Sequence, residues 1–308
     1  MHEGATAPAI RQGGPVDYGR LLALGAIWGS SFMLISVALQ GFPPLAVSSL
    51  RVTIAAAVLT LVGLARGERW PRGVRLWFWI AVIGFLNTAL PFSLIAMGQQ
   101  GVAANRAAIL MAMAPFATLL LSHIATHDDR ITGAKLFGLS LGISGVVLVV
   151  GMDALTAGGQ SLAGQFAIMA ASCCYAVSNV LTRKLSHLPP TLGTASFLVT
   201  AALYMGPGLL FFWEPSAAPQ DWLPWAAVIA LGVAPTALAY VLRFQLIRDA
   251  GSTFMSQVGY LVPVSGVLWA WAVLGEVPAL PAVGALVLIL LGIRATQWRR
   301  KPPRPPGD

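Results

Sequence analysis

Apolar segments long enough to cross a bilayer follow one another along almost the whole chain, and this feature most limits what the chain can fold into. A helix needs about 20 apolar residues to cross a hydrocarbon layer of about 30 Å. Only 10% of the residues are charged, against about 25% in a soluble domain. The sequence therefore predicts an all-α polytopic membrane protein with ten transmembrane helices, at 21–39, 44–65, 76–97, 107–125, 131–151, 164–185, 191–213, 222–247, 252–274 and 279–298.

The loops between these spans alternate in positive charge. The loop that joins the second and third spans contains four arginines, whereas the loops at 40–43 and 214–221 contain no Lys or Arg, and Arg106 is the exception on that side. Because short cytoplasmic loops retain Lys and Arg, we expect both termini to be cytoplasmic, in a bacterial inner (plasma) membrane. The ends at 1–18 and 299–308 are polar and rich in Pro, and are expected to be disordered.

The two halves of the sequence resemble each other at a nearly constant offset. Thr88 corresponds to Thr236, and Pro115 corresponds to Pro263. A unit of five spans begins on one side of the membrane and ends on the other, so a second copy must be inverted. The chain is thus predicted to contain two inverted five-helix repeats, at 19–151 and 152–298. Coincidental repetition of apolar composition is the alternative explanation.

Several polar side chains fall at membrane depth, on the first, third, sixth, eighth and ninth predicted spans. The clearest are Ser31, Asn87, Asn179, Gln245 and Gln257. A polar group in hydrocarbon costs free energy unless it has a partner or faces water. Hydrogen bonding between helices and contact with a substrate both satisfy this condition, and the sequence leaves both open.

Aromatic side chains accompany these polar residues. Trp28, Phe92, Tyr175, Tyr240 and Tyr260 could form a pocket for flat or apolar groups. Packing in the core or at the membrane interface is the alternative for each of them. The sequence therefore predicts a central, largely apolar cavity lined by aromatic rings as the substrate site.

Four prolines lie near the middle of predicted spans, and Arg51 is a charged residue within the second span. Pro91, Pro115, Pro235 and Pro263 each remove a backbone donor, which is typical of a hinge, of exposed backbone acceptors or of a static kink. Arg51 could extend to the membrane surface, pair with an acidic residue at the outer side, or attract a substrate carboxylate. These five residues are the predicted hinge and gating positions.

Some residue types are missing from the predicted spans. None of the eleven Asp and Glu residues falls in the middle third of a span, although proton- and sodium-coupled carriers commonly use a buried carboxylate. We therefore expect uncoupled or weakly coupled transport, by a facilitator or an exchanger, with His123 as a remaining protonatable candidate. The sequence contains no HExxH, GxSxG or Walker motif and no cluster of His or Cys. An enzyme, a metal site and a cofactor are not expected, and scattered basic residues do not favour nucleic acid.

Short motifs give the chain a resemblance to a known family. They are the segment at 25–32, the Pro-Pro entry followed by Arg51 in the second span, Pro115 in a span that ends near Asp128, and Gly275-Glu276 after the ninth span. With these motifs the chain resembles the EamA-type branch of the drug/metabolite transporter superfamily. The resemblance implies a ten-helix inverted repeat around a central cavity, and it implies export of aromatic and other neutral amino acids.

Two positions differ from the pattern of that family, because Phe197 replaces an expected arginine and Asp128-Asp129 replaces a Gly-Glu pair. A multidrug transporter, or a transporter of nucleobase or sugar derivatives with or without proton coupling, is the alternative function. Expected partners are a small-molecule substrate and the lipid bilayer. The oligomeric state is left open, with a monomer favoured.

Overall fold

A computed structural model of the protein describes residues 14–125, 132–156, 159–182, 185, 188, 190–212 and 218–297. These residues form helices and connecting turns, and none of them is in a β-strand. The helices are α1 (Pro15–Ala38), α2 (Pro44–Ala65), α3 (Val74–Gly84), α4 (Leu90–Gly98), α5 (Ala104–Met111), α6 (Ala114–Ala125), α7 (Gly133–Thr156), α8 (Gly159–Thr182), α9 (Pro190–Phe212), α10 (Trp222–Gly232), α11 (Ala239–Ala250), α12 (Ser252–Met255), α13 (Val258–Leu274) and α14 (Leu280–Thr296). Asp128, Asp129 and the ends at 1–13 and 298–308 lie outside the described residues.

The helices have the length and composition of membrane spans. Seven continuous helical stretches in the described ranges are long and apolar enough to cross a bilayer: Pro15–Ala38, Pro44–Ala65, Val74–Gly98, Ala104–Leu121, Gly133–Gly151, Ser161–Asn179 and Trp222–Ala250. Two further apolar helices, α13 and α14, are each 17 residues long. The all-helical, multi-pass fold is confirmed, and the count of ten inverted spans stays a prediction.

The first helix begins earlier than the sequence predicted, because disorder was expected as far as residue 18. Pro15 occupies the first turn of α1, where a missing N–H has no cost. The Asp17 carboxylate accepts a hydrogen bond from Gly14 N–H at 3.0 Å. These two features start the helix at Pro15.

The two ends of the described chain lie at the same end of the bundle. Near the start of α1, the Tyr18 ring packs edge-on against Phe254 at 4.9 Å between centroids. After α14, Gln297 Oε1 accepts a hydrogen bond from the Tyr260 hydroxyl at 2.9 Å. Both partners belong to the α12–α13 region, so we call this the termini end. The membrane face to which it belongs stays a prediction.

Close helix pairs hold the bundle together: α1 packs on α13, α2 on α9, α4 on α8, and α7 on α14. Two of these contacts require glycine. A Cβ added at Gly29 would lie 2.7 Å from Gly266 N and would collide with Ser265, and a Cβ added at Gly138 would lie 2.5 Å from the Gly292 carbonyl oxygen. Small residues allow the backbones to approach closely, which matters in lipid because no hydrophobic driving force brings helices together there.

Three of the four predicted prolines coincide with a departure from α-helix. A π-helical segment at Phe85–Ala89 ends two residues before Pro91, and a second at Val233–Leu238 contains Pro235. Pro115 follows the break between α5 and α6. Pro235 cannot donate to the Leu231 carbonyl, which instead accepts a hydrogen bond from the Thr236 hydroxyl at 2.8 Å. Pro263 lies inside the continuous helix α13.

Candidate functional site

A cavity of about 1730 Å³ lies between the two halves of the chain. It reaches the termini end at Lys135, in the first turn of α7, and at Gln297, directly after α14. Residues from both halves form its wall, so it could hold a solute between them. Seven of the ten predicted substrate residues and four of the five predicted hinge and gating residues line it: Trp28, Ser31, Asn87, Phe92, Tyr175, Asn179 and Tyr240, with Arg51, Pro115, Pro235 and Pro263.

Four predicted residues do not line the cavity. Gln245 and Gln257 are half-buried elsewhere, and Pro91 is buried in α4. Tyr260 packs against the main hydrophobic core and directs its hydroxyl to Gln297. Whether any of the predicted residues contacts a substrate is a separate question, and their role stays a proposal.

A polar network crosses the middle of the bundle. Asn87 Nδ2 donates to the Tyr240 hydroxyl at 2.8 Å, and Asn87 Oδ1 accepts from the Ser178 hydroxyl at 2.9 Å. The network joins the π-helical segment Phe85–Ala89 to α8 and α11. Asn87 therefore links helices, whereas the exposed side chain of Asn179 faces the cavity.

Arg51 lies in the cavity wall with its side chain 5% exposed. Its Nε donates to Thr236 Oγ1 at 2.8 Å, and its Cζ lies 3.9 Å from the centre of the Phe92 ring. No carboxylate pairs with it among the described residues. Arg51 is thus neither extended to the membrane surface nor held in an ion pair in this part of the chain.

A second arginine, which was not among the predicted site residues, lies in the wall. Arg243 lines the cavity from α11, and its Nε is buried without a hydrogen-bond partner in the described structure. The signal was available, because Arg243 is a charge inside the predicted span at 222–247. Its position near the end of that span does not by itself indicate a cavity residue, because charges there usually reach water.

The end of the bundle opposite to the termini end is closed by hydrogen bonds. The Glu276 carboxylate accepts from the backbone N–H groups of Ala104 and Asn105, at 3.1 and 2.9 Å. Gln99 Nε2 donates to the Phe32 carbonyl at 2.9 Å. Glu276 therefore caps the N-terminus of α5, where a carboxylate is favourable. We call this the capped end.

Nothing in the described ranges has the composition of a metal site, since no group of three or more His, Cys, Asp or Glu side chains occurs there. What the arrangement can do is enclose a solute of moderate size. The cavity reaches one end of the bundle, the other end is capped, and the wall combines aromatic rings, amides and hydroxyls.

Curated proteins that are similar to this chain in sequence are named as transporters or exporters. The chain is 30% identical over 279 residues to an S-adenosylmethionine/S-adenosylhomocysteine transporter of Chlamydia trachomatis serovar D, covering 85% of this chain and 84% of the relative. It is 28% identical over 286 residues to a probable terminal-alkyne amino-acid exporter of Streptantibioticus cattleyicolor, covering 91% and 94%. An uncharacterized inner membrane transporter of Escherichia coli K12, YedA, is 24% identical over 291 residues, covering 89% and 90%.

A solved structure matches the fold, and a family profile matches the sequence. A solved crystal structure with 22% sequence identity superposes with a TM-score of 0.66, covering 92% of this chain and 96% of its own. The sequence profile of the EamA-like transporter family matches the chain twice, at residues 19–151 and 162–296. The resemblance inferred from the motifs is confirmed, and the chain belongs to the EamA-like transporter family.

Proposed function

We propose that the protein exports small organic metabolites across the bacterial inner membrane, with aromatic and other neutral amino acids as the main class. The observation that carries this proposal is the cavity between the halves, whose wall combines the rings of Trp28 and Phe92 with the exposed amide of Asn179. Two relatives support the class, since S-adenosylmethionine and a terminal-alkyne amino acid both contain an amino-acid group.

Alternating access is the proposed mechanism. The family profile matches two consecutive segments, and the π-helical segments Phe85–Ala89 and Val233–Leu238 fall at repeat-related positions. Both features support two inverted five-helix repeats that rock about a central site. If the termini end is cytoplasmic, as the loop charges indicate, the cavity faces the cytoplasm while the Glu276 cap closes the other side.

The transport is proposed to need no proton or sodium gradient. The described residues of the cavity wall include no Asp or Glu, and a buried carboxylate is the group that such coupling commonly uses. An imposed proton gradient should therefore leave the rate of exchange unchanged.

A second candidate substrate is a metabolite that combines an amino acid with a nucleoside. The cavity of about 1730 Å³ is larger than the 300–1,000 Å³ of ordinary small-molecule sites. One relative is named as a transporter of adenosyl amino acids. The transport panel should therefore include such solutes.

The test is counterflow of labelled solutes into proteoliposomes that contain the full chain. The panel holds phenylalanine, tryptophan, leucine and S-adenosylhomocysteine, each with and without a proton gradient. A112W should block transport because Ala112 lines the cavity, whereas A170W places the same side chain at an exposed position outside the wall. The proposal fails if no solute moves faster than in protein-free liposomes, or if A112W transports as well as A170W.

A further inference from the structure

The charged residues that line the cavity in the described part of the chain all have the same sign. Arg51, Arg243 and Lys135 line the cavity, and the described lining residues include no Asp or Glu. A cation removed from water is costly unless a partner compensates it. Since the described wall supplies no anionic partner for the two arginines, an anionic group of a bound solute could fill that role.

Arg51 has the geometry to bind a carboxylate. Its Nε is committed to Thr236 and its planar group lies over the Phe92 ring. The two terminal nitrogens have no hydrogen-bond partner in the described part of the protein, and the side chain faces the cavity. Arginine binds a carboxylate through two parallel N–H bonds, and Thr236 and Phe92 hold this one in a fixed orientation.

Arg243 lies on the path from the termini end to Arg51. It follows Thr236 by seven residues on the same helical stretch, which corresponds to about 10 Å along the axis. Lys135 lies farther out, at the mouth. Positive charges in a narrow opening raise the local concentration of anions and lower that of cations.

We propose that the cavity is a carboxylate-selective site, in which Arg51 binds the carboxylate of the solute and Arg243 attracts anionic solutes along the access path. This inference rests on the proposed function and specifies its substrate class: organic acids and zwitterions with a carboxylate and an aromatic or apolar body. Phe92 and Trp28 contact that body. Solutes whose only charge is positive are rejected.

A structural role for Arg51 is the competing explanation, because its bond to Thr236 joins α2 to the π-helical segment Val233–Leu238. The two roles can be separated. T236V removes the bond between the helices and keeps the charge, so it should retain the preference for carboxylates. R51Q removes the charge, and R51K keeps the charge without the planar fork.

The test measures the affinity of purified full-length protein for three compounds of similar size, by calorimetry in detergent. They are 3-phenylpropionate (an anion), phenylalanine (a zwitterion) and phenylalaninamide (a cation). We expect the amide to bind about 10- to 100-fold more weakly than the two carboxylates, and R51Q to weaken the carboxylates by about the same factor without changing the amide. R243Q should weaken 3-phenylpropionate about 2- to 5-fold. R294Q is the matched control, because Arg294 is exposed on α14 outside the wall.

Acetate and inorganic phosphate are measured as anions without an aromatic body. If the amide binds as tightly as phenylalanine and R51Q has no effect, the carboxylate site is overturned while the transport proposal stands. If the aromatic compounds do not bind but acetate binds in an Arg51-dependent way, the carboxylate site stands and the amino-acid class fails. If only inorganic phosphate binds, the carboxylate site is overturned. If nothing binds to the wild type, both proposals fail.

Discussion

Two repeat-related contacts in the bundle share their packing and differ in their chemistry. In one, α2 packs on the π-helical segment Val233–Leu238, and Arg51 bonds to Thr236. In the other, α9 packs on Phe85–Ala89, and Phe197 stands where the repeat would place an arginine. The Thr88 hydroxyl there is buried and has no hydrogen-bond partner in the described structure.

The same helix packing therefore occurs in both contacts, but only one of them contains a charged residue, Arg51. Arg51 faces the cavity, whereas Phe197 is absent from the lining and packs beside the cluster formed by Ile80, Ile83 and Leu185. In the proposed alternating-access mechanism, matching backbones are needed for the two halves to rock, but a binding group is needed only once. The arginine therefore fits a role in the solute site better than a role in the shared packing.

The largest expected effect tests the shared packing. A Cβ added at Gly84 would lie 2.6 Å from the Phe197 carbonyl oxygen, and one at Gly232 would lie 2.7 Å from Ile54 Cβ and 3.0 Å from the Arg51 carbonyl oxygen. G84A and G232A should each lower the stability by about 3 kcal/mol, because backbone cannot move aside as a side chain can. Gly206 has no atom within 4 Å of an added Cβ, so G206A is the control.

These effects are measured as apparent melting temperatures of purified protein. The melting temperatures of G84A and G232A should fall by similar amounts. The melting temperature of G206A should stay level or rise, since alanine lowers the entropy of the unfolded chain. If only one of the two variants loses stability, the two contacts are not equivalent in packing.

The next largest expected effect is a change in stability, which should have opposite signs at Thr236 and Thr88. T236V removes the acceptor of Arg51 Nε and the donor to the Leu231 carbonyl, and should cost about 2 kcal/mol. T88V removes a buried hydroxyl that has no partner, and should be neutral or stabilising by up to about 1 kcal/mol. Thermal unfolding of both variants gives the sign directly. A loss at Thr88 equal to that at Thr236 would contradict the asymmetry.

Much of the fold was predictable, because helix length in a bilayer is set by thickness and apolar runs are visible in the sequence. Which side of a helix faces the cavity was harder. Gln245 and Tyr260 were predicted to line it and do not, whereas Asn179 does. In an apolar helix the lipid face and the packed face have the same composition, so the sequence does not fix the rotation of the helix.

The π-helical segments were also beyond the sequence analysis. A proline indicates that one hydrogen bond is lost, but it does not say how the chain reorganises. Around Pro235 the reorganisation depends on the Thr236 hydroxyl, which bonds to the Leu231 carbonyl. Thr236 in turn accepts from Arg51, a residue distant in sequence.

The smallest expected effect is a difference in stability within a second repeat-related pair, Ser31 and Ser178. The Ser178 hydroxyl is buried and donates to Asn87 Oδ1 at 2.9 Å, so S178A should lower the stability by about 1 kcal/mol. Ser31 lines the cavity, and its side chain makes no hydrogen bond within the described residues. S31A should therefore change the stability by less than about 0.5 kcal/mol and act, if at all, on solute affinity. Thermal unfolding and calorimetry on the same two preparations separate these outcomes, and a stability loss for S31A as large as that for S178A would place Ser31 in the packing instead of the site.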